Sequence, residues 1–531
     1  MTSSNSWICD GIVKNNQKYP GLGGAHPPHE NYALDCEICG LPKESSIIKS
    51  QKSVLPKILI PVALIVLGLL GYGLFNIIKE RSQEVRNNVD LDLNNEPTPT
   101  ADQDTTASIP LTFNPEWISL GDRLLFKGAT NKYRDDGIEA FKNGNFADAI
   151  QYFEQAVFSS RNDPEVQIYL NNSKAALQGS PLKIAAVVPV ENREASAKEM
   201  LRGIADAQTE FNNAGGIGGR LVQVIIANDG NKPDNAQSIA QKLAENYKIL
   251  GIIGHNSSSV SKAALAEYEK AELVMISPTS TATDLKSDYF FRTVPSDAAS
   301  GEKLAEQAQQ SGVNNVAIFY DSNSDYSKSL QEAFESNFSQ LGGNVLGAID
   351  ISQPNFNPQQ EIENIKDGQV DALALFPSTQ TTSIAISLAR ANTELLGQKL
   401  TMLGGDALYS SDTLNDGGEA VNGLIIAIPW FAQSQPYAEK AYDRWIGTIN
   451  WRTAASFDAT KALLKALTPN PTRDSVLQNL ESINLAANET SGRQLSFLNG
   501  ENKVEPVLVQ IDSGSFGQSG RFENGFKLIQ P

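Results

Sequence analysis

From Leu182 onward, apolar residues fall in short β-branched runs separated by longer stretches of helical period. The runs lie at 183–189, 221–227, 249–253, 273–276, 315–320, 345–349, 371–376, 401–404 and 423–428. Runs that stay apolar at successive positions are those of strands covered on both faces. Strand and helix in alternation build doubly wound parallel sheets. Roughly 350 residues of this pattern suit two lobes rather than one. In such sheets ligands bind beyond the C-terminal ends of the strands.

Two of those strand ends carry hydroxyl clusters. ILGIIGHNSSS (249–259) passes into an amphipathic helix with Val260, Ala264 and Tyr268 on one face, and LVMISPTST (273–281) follows it. A strand that hands the chain to a helix N-terminus presents free N–H groups and the positive end of the helix dipole, which favour an anion. Adjacent strands can aim Ser258 and Thr281 at one carboxylate. Ser and Thr at such positions also cap helices, their commonest role, and the pattern alone leaves both readings open. His255 reads as a strand-end structural residue, and Asp229 as one that fixes its own loop.

Ahead of this region the pattern changes several times. Residues 58–78, ILIPVALIVLGLLGYGLFNII, form an uncharged stretch of 21 residues. As a helix it would measure about 31 Å, enough for a bilayer core, and it reads as a retained signal-anchor. Lys43, Lys49, Lys52 and Lys57 precede it, and Lys79, Arg81 and Arg86 follow. That slight bias puts the N-terminus in the cytoplasm and the large C-terminal part outside the plasma membrane. Residues 79–118 are acidic, Pro/Thr-rich and without hydrophobic period, as in a solvated linker. Residues 119–178 turn helical, and GIEAFKNGNFADAIQYFEQAV (137–157) resembles a tetratricopeptide repeat. Gly137, Ala140, Gly144, Ala149, Phe153 and Ala156 fall at that repeat's packing positions. Since a single repeat cannot bury its faces alone, a spacer packed on its own flanks and a peptide-binding groove both remain open.

Composition sharpens two points. All three cysteines (Cys9, Cys36, Cys39) and two of the three histidines (His26, His29) lie in residues 1–45. One CxxC with a further Cys and His can complete a tetrahedral Zn²⁺ site, which would explain how so small a segment folds. The net charge of −18 argues against nucleic acid as a partner. An anionic ligand group must then be captured locally, by N–H groups and hydroxyls.

The order of motifs from 182 to 531 resembles the type I periplasmic solute-binding proteins of the leucine/isoleucine/valine class, related to receptor ligand-binding regions. The likeness runs through KIAAVVPV, GIADAQTEFNNAGGIGGRLVQVIIANDG, the two hydroxyl clusters, FRTVPSD (291–297), VAIFYDSNSDYSKSL (316–330), MLGGDALY (402–409), SFDATKAL (456–463) and SGRQLSFLNGEN (491–502). It implies a two-lobed binder whose lobes join near 295–298, 428–432 and 490–500. In amino-acid-binding members the ligand carboxylate is held by first-lobe hydroxyls and N–H groups. The matching positions here are Ser258, Thr279 and Thr281, with Ser257 and Ser280 adjacent. An acidic residue of the second lobe meets the ammonium, and Asp406 stands there. A tyrosine, here Tyr326, closes over the ligand. Two apolar walls that such members carry are missing: VENREASAKEM, after the first strand, has no aromatic residue, and Pro377-Ser378-Thr379 replaces the tyrosine often carried after the strand ending at Phe376. The implied pocket is more polar or larger than one for leucine.

Enzymatic chemistry finds no support, because His255 is the single histidine beyond residue 45 and no P-loop occurs. The sequence leads to a membrane-anchored extracytoplasmic solute-binding protein that gives an amino-acid-like ligand to an ABC importer. The alternatives are a sensor, or an interaction protein in which the helical segment and lobes activate an envelope partner such as a cell-wall synthase.

Overall fold

The computed structural model describes residues 7–9, 29–31, 115–128, 130–365, 369–397, 400–433, 435–513 and 524–529. The chain divides into two units, at Lys79 and Glu80. The described part of the first is a pair of antiparallel strands, Trp7–Cys9 and His29–Asn31, with Cys9 opposite His29. The backbone thus brings two of the five residues read as zinc ligands to one register position. His26, Cys36 and Cys39 lie outside the described residues, and among those described no group of three or more His, Cys, Asp or Glu is placed to hold a metal. The span 58–78 and the linker before residue 115 also lie outside them. Among the described residues no helix is long and apolar enough to cross a membrane.

The second unit carries two sheets. One runs in spatial order Asn484–Leu485, Leu495–Leu498, Glu501–Asn502, Phe290–Arg292, Met275–Ser277, Ile249–Ile253, Leu182–Val188, Val222–Asn228 and Ile118–Ser119. Its central strands, from Phe290–Arg292 to Val222–Asn228, are mutually parallel. Alternate residues enter opposite cores: Ile184, Ala186 and Val188 pack with Met200 and Ile204, while Ala185 and Val187 pack with Ile239, Val260 and Tyr268. That two-sided burial is why the runs read as continuously apolar. The other sheet runs Asn344–Asp350, Asn315–Tyr320, Ala372–Phe376, Thr401–Gly404, Ile425–Ile428, Val507–Ser513 and Asn524–Leu528. Its first member is an edge strand with a register shift between Val345 and Gly347, a feature that discourages pairing with another chain.

The sheets define two lobes, and the chain passes between them at 293–296, 429–435 and 503–506. The third passage falls later than the sequence reading of 490–500. Leu495–Leu498 and Glu501–Asn502 still pair within the first lobe, and such short strands carry almost no period. Beside these passages the half-buried Asp458 carboxylate accepts hydrogen bonds from the Ser491 amide and hydroxyl at 2.6 and 2.7 Å. Trp430 donates to the Ser491 carbonyl at 3.2 Å.

Three helices precede the lobes: Lys132–Lys142, Phe146–Ser159 and Pro164–Gln178. Asn131 and Asp163 cap the first and third, and Pro164 occupies the first turn of the third. Phe153 is fully buried and rests against Tyr169, centroids 6.0 Å apart. The third helix is itself buried against the first lobe. Asn172 donates to the carbonyls of Leu120 and Val224 at 2.9 and 2.8 Å, and accepts from Val224 N–H and Gln208 at 2.8 Å each. Just ahead, Ile118–Ser119 extends the first-lobe sheet antiparallel to Val222–Asn228. The stretch read as linker up to 118 therefore ends inside the first lobe, and the helical segment is built onto it.

Candidate functional site

Between the lobes lies a cavity of about 160 Å³, partly open to solvent. A cavity near 150 Å³ admits a benzene-sized molecule, so this one suits a small ligand. Its first-lobe wall includes Ser257, Ser258, Ser259 and Thr279, and its second-lobe wall includes Tyr326, Ser378, Thr379, Gln380 and Asp406. The lobes touch beside it: Asp325 N–H donates to Ser259 Oγ at 3.1 Å, and Thr283 N–H to Ser329 Oγ at 3.0 Å.

The first-lobe wall starts where Ile249–Ile253 ends. His255 is sealed from solvent, its Nδ1 2.7 Å from Asp229 Oδ2 and its Nε2 3.1 Å from the Tyr268 hydroxyl. Asp229 also accepts from Asn231 N–H at 2.8 Å. These two residues shape the loops and stay behind the cavity. The helix Ser258–Lys270 follows, and its N-cap Ser257 makes no capping bond, so the first-turn N–H groups of a full-length helix remain open beside the cavity. Ser258 Oγ accepts from the N–H groups of Thr281 and Ala282 at 3.3 and 3.2 Å. With its lone pairs engaged, its hydroxyl proton is left to donate to a ligand acceptor.

The second cluster divides. Thr279 lines the cavity while its hydroxyl donates to the His255 carbonyl at 2.9 Å. Ser280 points away, its Oγ 2.7 Å from that of Ser261. Thr281 is not among the residues lining the cavity, and its buried Oγ1 faces Asp297 without reaching ordinary hydrogen-bond geometry to any described residue. Arg292 holds the loop that carries these residues, donating to the carbonyls of Ser280, Ala282 and Leu285 at 3.0 to 3.3 Å and pairing with Glu501 at 3.0 Å.

Across the cleft, Asp406 begins a short 3₁₀ turn after the strand Thr401–Gly404. Burial pushes its carboxyl up to about 6, against the opposing pull of Arg452 and the Tyr326 hydroxyl. Tyr326 is brought over Asp406 by the helix Asp325–Gln340, and Ala407 N–H donates to its hydroxyl at 3.4 Å. Gly405 makes this approach possible, because a Cβ there would collide with the Tyr326 hydroxyl. Asp321 also lines the cavity, but its carboxylate is engaged by Asn323 N–H at 3.0 Å and the Thr381 hydroxyl at 3.2 Å.

Of the seven residues read as ligand-binding, Ser257, Ser258, Thr279, Tyr326 and Asp406 thus meet at one cavity, with Ser280 and Thr281 behind its wall. Trp451 and Arg452 also line it, and sequence reasoning passed over them. They open the helix Trp451–Ala466, three residues ahead of SFDATKAL, and a tryptophan and arginine at a helix start carry no pattern of their own.

The sequence profile of the family described as "Periplasmic binding protein" matches residues 181–509. An "Amino acid binding protein" of Pseudomonas aeruginosa is 28% identical over 145 residues, 27% of this chain and 38% of that one. A "Leu/Ile/Val-binding protein" of Escherichia coli K12 is 25% identical over 231 residues, 43% of this chain and 61% of that one. The matched stretches therefore span from about two fifths to three fifths of those relatives. Among solved structures, an ABC transporter substrate-binding protein from Desulfitobacterium hafniense in complex with Leu superposes with a TM-score of 0.55 at 21% identity, over 66% of this chain and 100% of that one. A leucine-binding protein from Thermotoga maritima gives 0.57 at 21% identity, over 66% and 99%. These structural likenesses establish the two-lobed fold.

Proposed function

From the premise that this chain belongs to the periplasmic binding protein family over residues 181–509, a family of solute-binding proteins rather than enzymes, we propose that it captures a small polar solute, an amino acid or close derivative, between its lobes. The reading includes an extracytoplasmic location, a tether through 58–78 and delivery to an ABC-type importer. The relatives and neighbours named for amino acids support it. The observation that carries it is the opposed polarity of the cavity. Helix N–H groups and the Ser258 hydroxyl offer donors on one wall, and the Asp406 carboxylate offers a counter-charge on the other. An α-amino acid presents the complementary pair, a carboxylate and an ammonium. A ligand that touches both walls favours the state in which they face each other. The wall at Ser378, Thr379 and Gln380 is polar where leucine would need apolar contact.

Thermal unfolding of the full chain in detergent, against a panel of amino acids, tests this. A bound ligand at 100 times its dissociation constant adds about 2.7 kcal/mol, and Asp406→Ala is expected to abolish the shift. A variant that keeps the full shift would refute the ammonium assignment. No shift with any amino acid would refute the ligand class. A second reading, docking of an envelope partner, is favoured by Tyr133, Tyr152 and Phe158, which stand exposed on the first two helices of the preceding segment.

A further inference from the structure

An α-amino-acid grip leaves one strong feature of the cavity unmatched. Trp451 and Arg452 both line it, and they are only 1% and 7% exposed. Each has a buried donor with no hydrogen-bond partner, Nε1 of Trp451 and Nε of Arg452. A buried N–H without an acceptor is costly, and more so on a charged group.

Among the described residues no carboxylate forms an ion pair with Arg452 by contact. Glu199, on the neighbouring helix, is occupied by Arg202, by Asn450 N–H at 3.2 Å and by the Thr453 hydroxyl. Asp406 acts on the guanidinium only through space, from the opposite lobe. Arg193, the N-cap residue of the helix Glu194–Asn213, adds a second positive charge that acts on the guanidinium through space. The guanidinium lies on the Trp451 ring, 4.1 Å from its centroid, which holds the planar fork in one orientation. A guanidinium held in one orientation, largely buried and without a carboxylate in contact among the described residues, is at a ligand cavity a receptor for a carboxylate. A neutral amino acid would engage Ser258 and Asp406 and still leave it unanswered.

We propose that Arg452 and Trp451 form a third subsite that receives an anionic side-chain group, so that the ligand class is the acidic, dicarboxylic amino acids. This deepens the amino-acid reading of the same cleft and rests on it. The α-carboxylate then meets Ser258 and the helix N–H groups, the ammonium meets Asp406, and the distal carboxylate meets the guanidinium fork.

Calorimetric titration of the full chain with L-glutamate, L-aspartate, L-glutamine and L-leucine tests the assignment. Glutamate or aspartate is expected to bind at least about tenfold more tightly than glutamine. Arg452→Met should weaken the acidic ligand about 100-fold, the scale of losing one partner of a buried charge pair, while changing glutamine less than about threefold. Should that variant fail to fold, Arg452→Lys decides, since it keeps the charge and loses the fork; a loss confined to the acidic ligand is expected. Tightest binding of glutamine or leucine would overturn the third subsite and leave the amino-acid reading standing. Equal weakening of acid and amide by either variant would do the same. Binding of none of the four would overturn the third subsite, and the amino-acid reading falls with it only if the wider panel gives no thermal shift either.

Discussion

At the scale of single residues, the hydroxyl clusters do two kinds of work that a sequence pattern cannot separate. Ser277 accepts from Thr279 and Ser280 N–H groups, at 3.4 and 3.0 Å, and donates to the His255 carbonyl at 3.2 Å, so it is a turn-building residue. Ser258 binds two N–H groups and still keeps a proton for a ligand. Asp406 sets the clearest consequence. Burial raises its pKa to about 6, and only its ionised form attracts an ammonium. Ligand affinity is therefore expected to be level above pH 7 and to fall toward a limiting tenfold per unit below about pH 6. Titrations at pH 5, 6, 7 and 8 check this, and a flat profile would remove Asp406 from ligand contact. The position of Asp406 was legible in GGDALY through the family likeness. Arg452 was not, because its meaning comes from the partners it lacks, and those depend on where Glu199 and Asp406 lie in space.

Elements place these side chains. The helix Glu194–Asn213 lies so close to Trp451–Ala466 that a Cβ on Gly203 would run into the Thr453 carbonyl oxygen and come within 2.6 Å of Phe457 N. Glu199 on the first helix grips the Asn450 amide and Thr453 at the start of the second. The two helices therefore move as one body, and the first turn of the second carries Trp451 and Arg452 into the cleft. Gly203→Val is expected to cost about 1–3 kcal/mol by overpacking and to weaken ligand binding at the same time. Melting curves and titrations on the variant check both, and a stability loss with unchanged affinity would separate this helix pair from the site. Strand placement was legible, with 249–253, 315–320 and 401–404 matching the observed strands, because buried parallel strands write their length into the chain as apolar runs. The docking of Pro164–Gln178 on the first lobe was not. Its buried face includes Gln167, Asn171, Asn172 and Ser173, polar residues that a hydrophobic period counts as solvent-facing.

Across the whole molecule, buried carboxyl groups couple stability to pH. Burial raises Glu165 and Asp458 to about 7 and Asp297 to about 8. A carboxyl with a raised folded-state pKa contributes stability that is fully present below its unfolded value and lost as pH rises through the folded value. Asp350 runs the other way. Hydrogen bonds from Ser322, Ser352 and Gln353 hold it well below the usual carboxylate range, against the opposing pull of desolvation, the largest single influence on it. Its contribution is present above the ordinary carboxylate value and lost in strong acid. The melting temperature of the full chain is therefore expected to be higher near pH 5.5 than near pH 8.5. A melting temperature that rises between those values would show that these carboxyls do not control the balance.

The sequence by itself determined the alternation of buried strands and helices, the two-lobed class, and the strand ends where hydroxyls and an aspartate collect. Each of those properties is local, written as a period of two or 3.6 residues or as a short motif at a fixed place along the chain. Tertiary structure alone decided which hydroxyls face the cavity, that Ser280 and Thr281 lie behind its wall, and that the helical segment is part of the first lobe. It also decided that Arg452 stands buried opposite Asp406, without a carboxylate in contact among the described residues. Those outcomes depend on which distant groups share a small volume, and a buried charge shows its character only once its neighbours in space are known.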